Sequence, residues 1–311
     1  MLDRILTQLH ALVIPAGVEW EVLVVNNNCT DETDAILQKQ IAHLPVRRAF
    51  ESTPGIAHAR NRALTEARGD LILWTDDDMA VPPDWLAHYH DAATRFPRAT
   101  LFGGPIRAWF ADDVSLDDRR FTLKNIAHLS PMFGVIDFGP EVRELQRGEF
   151  FFSGNMALCT EAARRFHFDG RFGRVGRDGL LGGEETLFLQ QMLDAGEAGV
   201  WVGRAAAEHF IPAERLTPAY AWNYFAAVGR TQARIDGIRQ CATLFGRPRW
   251  ALLTHWRNRA RAWAQRGIGG DWLPAYLAAA KMAGYLSESD AHRNSRQPGY
   301  LVPPHRAAAD A

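Results

Sequence analysis

The stretch of sequence that decides the fold is LILWTDDD, residues 71–78. Its first four residues form an apolar run that is typical of a strand buried on both faces. Asp76, Asp77 and Asp78 follow at the carboxyl end of that strand, where ligands of α/β proteins usually bind. Because adjacent carboxylates repel one another, a bound cation would lower the free energy of the cluster. The segment predicts an oxygen-ligand site for Mg²⁺ or Mn²⁺ that presents a phosphate-bearing substrate; an Asp-capped turn is the alternative.

Strand-like and helix-like patterns alternate through the first 110 residues. This alternation predicts parallel strands joined by right-handed crossovers. We expect strands at 21–27, 46–50 and 70–75, and helices at 31–41, 54–67 and 82–96.

The pattern is less regular beyond residue 100. We expect one longer strand at 100–110, a loop-rich insertion at 111–150, a helix at 183–195 and a strand at 200–202. From residue 218 onward the pattern is helical, with a polar, frayed end from about residue 287. The sequence thus predicts an α/β domain over residues 1–215 and a helical C-terminal extension over residues 216–311.

Composition excludes several classes of protein. The chain of 311 residues is 47% hydrophobic and 23% charged, as in soluble globular proteins, and its formal net charge of −1 does not indicate a nucleic-acid partner. Three scattered cysteines favour a reducing compartment over a disulfide framework or a zinc site. No signal peptide and no apolar run of about 20 residues is present. We therefore expect a soluble protein, or one bound only to the membrane surface.

Two further motifs lie in the first 65 residues. Three asparagines at 26–28 end the first predicted strand, where amide groups could contact a nucleobase; an Asx-rich turn explains the same residues. The segment PGIAHARNR, residues 54–62, places Arg60 and Arg62 on different faces of a helix. One arginine could therefore face a diphosphate near the acids, although a solvated helix face fits the spacing equally well.

Two more motifs lie beyond residue 180. Glu184 and Glu185 open a helix after two glycines, and a carboxylate at such a position could act as a general base. The macrodipole alone also favours glutamate there. His209 follows Glu208 after the strand at 200–202, and it gains significance only if the fold brings it to Asp78.

Taken together and in this order, these motifs resemble the family 2 glycosyltransferases, which have the GT-A fold, a Rossmann-like mixed sheet. The matching segments span about 190 residues at the usual spacing of that family: VLVVNNNCTDET (22–33), PGIAHARNRAL (54–64), GDLILWTDDDMAVPPDWL (69–86), FSGNMAL (152–158), FDGRFG (168–173), LGGEETLF (181–188) and the Glu208-His209 turn.

The resemblance implies an inverting transfer of a sugar from a nucleotide-diphosphate sugar to a hydroxyl acceptor, either a saccharide or a lipid-linked one. Asp76 and Asp78 match the ends of the D-x-D motif, so Asp78 would bind the metal and Asp76 would lie near the ribose and the sugar. Asp77 belongs with the donor-binding residues. His209 matches a histidine that completes the metal shell.

The remaining roles are also implied by the resemblance. Glu185 takes the place of the catalytic aspartate, with a side chain one methylene longer. Asn27 stands where an aspartate often reads the nucleobase, and Arg60 is a phosphate or base contact. Gly154 and Asn155 would lie under the sugar; Trp201 is an expected wall of the acceptor site.

The family pattern begins with a strand that lines the nucleobase pocket, whereas this sequence begins with a helix-like segment at residues 1–6. We therefore expect the first strand to be absent, through a start placed downstream or through real loss, with truncation favoured because an absent central strand leaves buried backbone groups unpaired. A degenerate GT-A domain that binds nucleotide or glycan without catalysis is the alternative function. A nucleotidyltransferase is less consistent with the sequence, since no glycine-rich phosphate loop is present near the start.

The C-terminal extension is rich in arginine and tryptophan. Nine arginines and one acid lie between residues 230 and 266, and Trp256 and Trp263 are spaced to share a helix face. Packing of that face inside the protein is one interpretation. Contact with anionic lipid at the inner face of the membrane, by an otherwise cytoplasmic enzyme, is the other.

Overall fold

The computed structural model describes residues 1–174, 182–237 and 241–294. Their contacts divide the chain into two compact units. The first comprises residues 1–119, 133–174 and 184–213, and the second comprises residues 120–132, 182–183, 214–237 and 241–294. The predicted domain boundary after residue 215 stays a prediction.

Helices and strands alternate through the first part of the chain, as the sequence predicts. Up to residue 110 they are α1 (Leu2–Leu9), β1 (Val22–Asn26), α2 (Thr33–Gln40), β2 (Val46–Phe50), α3 (Ile56–Glu66), β3 (Leu71–Trp74), β4 (Met79–Ala80), α4 (Trp85–Arg95), β5 (Ala99–Gly103) and β6 (Ile106–Phe110).

The elements that follow are shorter at first and then mainly helical. They are α5 (Leu116–Lys124), α6 (Ile126–Phe133), β7 (Val142–Glu144), β8 (Met156–Cys159), α7 (Thr160–Ala163), α8 (Glu184–Asp194), β9 (Ala198–Val202), β10 (Ala207–Ile211), α9 (Pro218–Asp236), β11 (Thr243–Leu244), β12 (Arg247–Pro248), α10 (Arg249–Gly267) and α11 (Leu273–Asn294).

A five-stranded mixed sheet, in the order β3-β8-β5-β9-β7, is the largest sheet of the first unit. Strand β8 runs antiparallel to both β3 and β5, and β5 runs parallel to β9. Strands β1 and β2 form a separate parallel pair. The first strand in the described residues is thus β1, which follows helix α1, as the helix-like start of the sequence predicts.

The predicted single strand at 100–110 is wrong in one respect. It is two strands, β5 and β6, interrupted at Gly104 and Pro105. A Cβ at position 104 would lie 2.5 Å from the Ala205 carbonyl oxygen and 2.9 Å from the Tyr89 hydroxyl, so glycine allows the chain to pass there. After this break β6 joins a second sheet, in the order β4-β10-β6.

Apolar side chains of helices and strands pack together in the core of the first unit. It contains side chains from α1, α2, α4 and the strands, among them Leu6, Leu37, Tyr89 and Phe102, each at most 1% exposed. Burial of large apolar side chains is the main favourable term in folding. The helices therefore hold the strand ends, and the acids that follow β3, in fixed positions.

The second unit consists mainly of α9, α10 and α11. Gly229 on α9 and Gly284 on α11 allow close helix packing, because a Cβ at these positions would lie 1.9 Å from the Lys281 carbonyl oxygen and 1.7 Å from that of Ala226. Helix α11 continues to Asn294, so the expectation of a frayed end from residue 287 is wrong for its first part; residues 295–311 lie outside the described residues. Across the parts of the chain described above, no helix is long and apolar enough to cross a membrane.

Candidate functional site

The acid cluster lies between two sheets. Strand β3 ends at Trp74, the chain turns with the Met79 N–H donating to the Asp76 carbonyl oxygen (3.2 Å), and β4 begins immediately. Strand β4 pairs antiparallel with β10, and His209 is the register partner of Met79. This register brings a histidine from late in the chain to the acids that follow β3.

Asp78 and His209 form a direct pair. The His209 Nε2 atom lies 3.2 Å from Asp78 Oδ2, and the His209 Nδ1–H donates to the Phe133 carbonyl oxygen at 2.5 Å. A histidine whose Nδ1–H is bound to a carbonyl presents the Nε2 lone pair, which is the arrangement found in metal sites. Among the described residues no group of three His, Cys, Asp or Glu side chains could hold a metal by itself. This pair supplies one carboxylate oxygen, the ligand type of Mg²⁺ and Mn²⁺, and one imidazole nitrogen, which transition metals accept more readily than Mg²⁺ does.

Asp76 is exposed to solvent, yet protein atoms surround its carboxylate closely enough to desolvate it in part. Desolvation raises its pKa, and the neighbouring Asp78 and Glu185 carboxylates raise it further, while Arg60 opposes the rise. A Cβ on Gly154 would lie 3.4 Å from Asp76 Oδ2, so the absence of a side chain there leaves space beside this carboxylate. Gly154 and Asp76 are therefore neighbours in the structure.

Asp77 and Asp78 lie near Arg4, a cation that no sequence motif indicates. The Arg4 guanidinium on α1 lies over the Trp109 ring, 4.2 Å from its centroid, and interacts electrostatically with both carboxylates. Its Nε and Nη2 atoms are buried and have no hydrogen-bond partner in the described structure. Desolvation lowers the pKa of Arg4. Desolvation and then Asp78 raise the pKa of Asp77. Arg4 therefore offers two buried donors close to the acid cluster.

The catalytic candidate Glu185 is held by an ion-pair network. Arg60 donates to Glu184 Oε1 at 2.7 Å and to Ser153 Oγ at 2.5 Å, and its Nη2 lies 3.7 Å from Glu185 Oε2. The Ser153 hydroxyl donates to Glu185 Oε2, which also accepts the Ser153 N–H at 3.1 Å. Phe168 packs against the guanidinium, 5.6 Å from its ring centroid. Since ionised partners strengthen hydrogen bonds, the network orients the Glu185 carboxylate firmly.

The two glutamates differ in exposure and therefore in role. The Glu184 side chain is 7% exposed and the Glu185 side chain is 20% exposed. Desolvation raises the pKa of Glu184, the Arg60 charge opposes this rise, and Glu185 adds to it. Glu184 is thus a buried partner of Arg60, whereas Glu185 remains partly accessible to solvent.

Arg60 is not placed as the sequence predicted. We expected a phosphate or nucleobase contact, but its side chain is 7% exposed and its guanidinium is engaged by Glu184 and Ser153. The physical reason is burial, because a guanidinium removed from water requires carboxylate and hydroxyl partners inside the protein. Arg60 positions the acids instead.

Asn27 is also engaged within the protein. Its Nδ2 donates to the Glu51 and Thr53 carbonyl oxygens at 3.0 and 2.7 Å, and its Oδ1 accepts the Gly55 N–H at 2.8 Å. The amide is therefore saturated by the loop at 51–55, and the predicted reading of a nucleobase by this side chain is not supported. The alternative interpretation, an asparagine-rich turn that satisfies backbone groups, accounts for its contacts.

The side chains of Asn155 and Trp201 face the core. Asn155 is 0% exposed; it donates to the Pro105 and Ala205 carbonyl oxygens and accepts from Trp85 Nε1 and the Tyr89 hydroxyl. Trp201 is also 0% exposed. Both side chains are buried among protein atoms, so the predicted position of Asn155 under the sugar stays a prediction for its backbone, and no exposed face of Trp201 supports the predicted acceptor wall.

Three side chains at the candidate site are not identified by the sequence motifs: Arg4, Ser153 and Glu184. Glu184 was assigned to a favourable position on the helix macrodipole, an explanation that needs no partner. Its burial comes from the contact with Arg60, which is 124 residues away in sequence. The only local signal for Ser153 is its place in the segment FSGNMAL, next to Gly154.

Comparisons with known proteins identify relatives of this chain. The sequence model of glycosyl transferase family 2 matches residues 1–158. ExoM, a succinoglycan biosynthesis protein of Rhizobium meliloti, is 28% identical over 251 residues, which are 77% of this chain and 74% of ExoM. YfnE, a glycosyltransferase of Bacillus subtilis, is 36% identical over 72 residues, and this match spans only 18% of YfnE.

Solved structures share the fold. Residues 1–349 of S. aureus TarS, in complex with UDP, give a TM-score of 0.52 at 15% identity, with 97% of this chain and 90% of that chain covered. The mannosyltransferase PcManGT from Pyrobaculum calidifontis, in complex with GDP-Man and Mn²⁺, gives 0.50 at 16% identity, covering 96% and 72%. The predicted GT-A architecture is confirmed by these similarities.

The family model covers more than half of the chain and includes β1, the acid cluster after β3, and Gly154 beside Asp76. The predicted family is therefore confirmed. This chain belongs to glycosyl transferase family 2, and it is a glycosyltransferase with the GT-A fold.

Proposed function

We propose that this glycosyltransferase transfers a sugar from a nucleotide-diphosphate sugar to a hydroxyl group of an acceptor, with inversion at the anomeric carbon and with a divalent metal. The observation that carries the proposal is that the Asp78–His209 pair and Glu185 both lie close to Asp76. The pair is joined by the 3.2 Å contact, and Asp76 interacts electrostatically with Asp78, His209 and Glu185.

Asp78 and His209 would hold the metal. The carboxylate oxygen suits Mg²⁺ or Mn²⁺, the neutral imidazole Nε2 favours the transition metal Mn²⁺ of the two, and a donor diphosphate could supply further oxygen ligands. When bound, the metal would supply Lewis-acid stabilisation of charge on the departing nucleoside diphosphate. The Mn²⁺ bound to PcManGT supports a divalent metal in this fold.

Glu185 would act as the general base. Its carboxylate is partly exposed and is oriented by the Ser153 N–H and hydroxyl. Arg60 lies close to Glu185 and donates to Ser153. In an inverting transfer the acceptor oxygen attacks the anomeric carbon as its proton passes to the base, so one positioned carboxylate is sufficient. Arg60 would act only through Glu185 and Ser153.

The donor would lie between Asp76 and Arg4. The space beside Asp76, left by Gly154, would admit the ribose or the sugar. The two unpartnered nitrogens of Arg4 would offset the charge of Asp77, Asp78 and a diphosphate. UDP and GDP-Man bound to TarS and PcManGT support a nucleotide-sugar donor.

A degenerate domain that binds nucleotide or glycan without catalysis is the second candidate. The observation in its favour is that Glu185 Oε2 already accepts two hydrogen bonds from Ser153. Such bonds occupy lone pairs of the carboxylate that the hydroxyl of an acceptor would otherwise approach. Donor binding by the wild-type protein without any turnover would favour this candidate.

We propose in addition a cytoplasmic location with contact at the membrane surface, and a saccharide or lipid-linked acceptor. Three free cysteines fit a reducing compartment. On α10, the Trp256 and Trp263 side chains are 61% and 82% exposed, and the helix carries five arginines and no acid. An exposed aromatic and basic helix face suits an anionic bilayer.

The decisive test of the transfer reaction combines donor hydrolysis or transfer from a panel of nucleotide sugars with Mn²⁺ titration. We expect metal-stimulated release of a nucleoside diphosphate and an inverted anomeric product by NMR. A product with retained configuration would contradict the proposed inversion at the anomeric carbon. Donor binding without release for every sugar would favour the non-catalytic candidate.

A further inference from the structure

A pocket of about 480 Å³ lies within the second unit, among helices α9, α10 and α11. Its walls include four aromatic rings and two guanidinium groups: Trp222, Arg259, Trp263, Arg266, Trp272 and Tyr276. None of the described residues that line it is acidic. Its volume lies within the range of about 300–1,000 Å³ of small-molecule sites.

The aromatic walls hold one another in place. The Tyr276 ring lies 4.9 Å from that of Trp222 and 5.3 Å from that of Trp272, and its hydroxyl donates to the Pro218 carbonyl oxygen at 3.2 Å. Trp272 also stacks on Phe121, with centroids 6.2 Å apart and planes at 21°. The pocket is thus formed by packed rings rather than by one mobile side chain.

The two arginines lie over these rings. The Arg259 guanidinium lies 5.8 Å from the Trp222 centroid, and that of Arg266 lies 5.0 Å from the Trp272 centroid. Within the described parts of the chain, neither guanidinium pairs with a carboxylate. Two guanidiniums that line one pocket and lack a counter-charge could each donate hydrogen bonds to a phosphate group.

The surface around the pocket is apolar as well as basic. Trp263, which lines the pocket, is 82% exposed, and on the same helix Trp250, Leu253 and Trp256 are 41%, 54% and 61% exposed. These positions recur at helical spacing, so they lie along one outward face of α10. Ile268, just after the helix, is 84% exposed. A ligand that brings both a phosphate and acyl chains would satisfy the guanidiniums and cover this surface.

From these contacts we infer that the pocket between α9, α10 and α11 binds the phosphate of an anionic phospholipid head group, with the exposed face of α10 in the interfacial layer of the bilayer. The inference deepens the membrane contact proposed above and rests on it. It adds that contact is made through one defined head-group site. Diffuse attraction between arginines and an anionic surface would need no such site.

The test uses the full chain and isothermal titration with dihexanoyl phosphatidylglycerol below its micelle concentration, without metal, nucleotide or acceptor. Arg259→Gln/Arg266→Gln removes the two pocket charges. Arg257→Gln/Arg261→Gln is the matched control, because it removes two exposed charges of the same helix that do not line the pocket. Dihexanoylglycerol, which lacks the phosphate, and inorganic phosphate are titrated in parallel. Circular dichroism verifies that each variant is folded.

We expect saturable binding with one lipid per chain, weakened at least about tenfold by the pocket variant, as the loss of two charge-assisted hydrogen bonds implies. The control variant should bind within about twofold of wild type, and the two parallel ligands should bind weakly. Equal weakening in both variants, or no saturable binding, would overturn the head-group site. Inorganic phosphate binding as tightly as the lipid would show a free-phosphate site instead. Donor turnover, assayed separately, reports on the transfer reaction whatever the lipid result.

Discussion

The Nε2 atom of His209 lies 3.2 Å from Oδ2 of Asp78, although 131 positions separate the two residues in sequence. The contact depends on the antiparallel pairing of β4 with β10. Because the Nδ1–H is held by the Phe133 carbonyl oxygen, the imidazole is fixed in the tautomer that a metal requires.

The first prediction concerns this pair. His209→Gln and Asp78→Asn should each weaken Mn²⁺ binding about 10- to 100-fold, because each removes one of the two protein ligands. Binding is measured by Mn²⁺ electron paramagnetic resonance in the presence of a nucleoside diphosphate. His88→Gln is the control, since His88 forms a similar surface pair with Asp84 at 3.0 Å. Unchanged Mn²⁺ affinity in both site variants would remove the metal assignment.

The second prediction concerns the base. Glu185→Gln should lower kcat at least about 10²-fold and leave donor KM within a few-fold, because the amide keeps the shape but cannot take a proton. Steady-state release of nucleoside diphosphate measures both constants. Glu161→Gln, an exposed glutamate on α7, serves as control. Near-wild-type turnover by Glu185→Gln would show that another group is the base.

The third prediction concerns the buried ion pair of Arg60 and Glu184. Arg60→Met should lower the free energy of unfolding by about 3–5 kcal/mol, because it leaves a buried carboxylate without its counter-charge. The double variant Arg60→Met/Glu184→Gln should recover most of this loss, since no buried charge then remains. Urea unfolding supplies the values. If the double variant is as unstable as the single one, packing of the guanidinium and not the charge pair stabilises this region.

The sequence was sufficient for features that arise locally. The apolar run before Asp76 predicted β3, and the alternating segments predicted β1, β2 and their helices, because these patterns depend on neighbours in the chain. It could not show which long-range partner each polar group would find. Arg60 was expected at a phosphate, yet it pairs with Glu184, 124 residues away. Asn27 was expected at a base, yet it holds the loop at 51–55.

The fourth prediction concerns the charge of the acid cluster. The pKa of Asp76 is raised in the folded protein, so ionisation of this group opposes folding as pH rises above about 4, its unfolded value. In a metal chelator at pH 7, Asp76→Asn should therefore raise stability. Solvent screening keeps the gain near 0.5 kcal/mol, or roughly 1–2 °C in Tm.

The same difference should vanish below about pH 4, where Asp76 is protonated in both states. Scanning calorimetry across pH measures it, with Asp84→Asn as a control because Asp84 is an exposed surface acid. A Tm for Asp76→Asn that is below wild type at pH 7 in the chelator would contradict the sign of this effect.

The fifth prediction concerns Arg4. Arg4→Met should raise donor KM about tenfold while the protein remains folded, because it removes donors that have no partner in the described structure but preserves an apolar contact with Trp109. Arg95→Met is the control, as Arg95 pairs with Asp91 on an exposed helix face. An unchanged KM together with a large loss of stability would make Arg4 a structural residue only.

Asn155 has a consequence for how donor preference can change. Its amide joins the start of β8 to Trp85 and Tyr89 of α4, and to the carbonyl oxygens of Pro105 and Ala205. The backbone on which Gly154 lies is thus tied to three other segments, and it cannot shift without breaking several buried hydrogen bonds. We expect selection for a different sugar, in nature or in the laboratory, to leave this segment unaltered and to accumulate substitutions at exposed positions around the acid cluster.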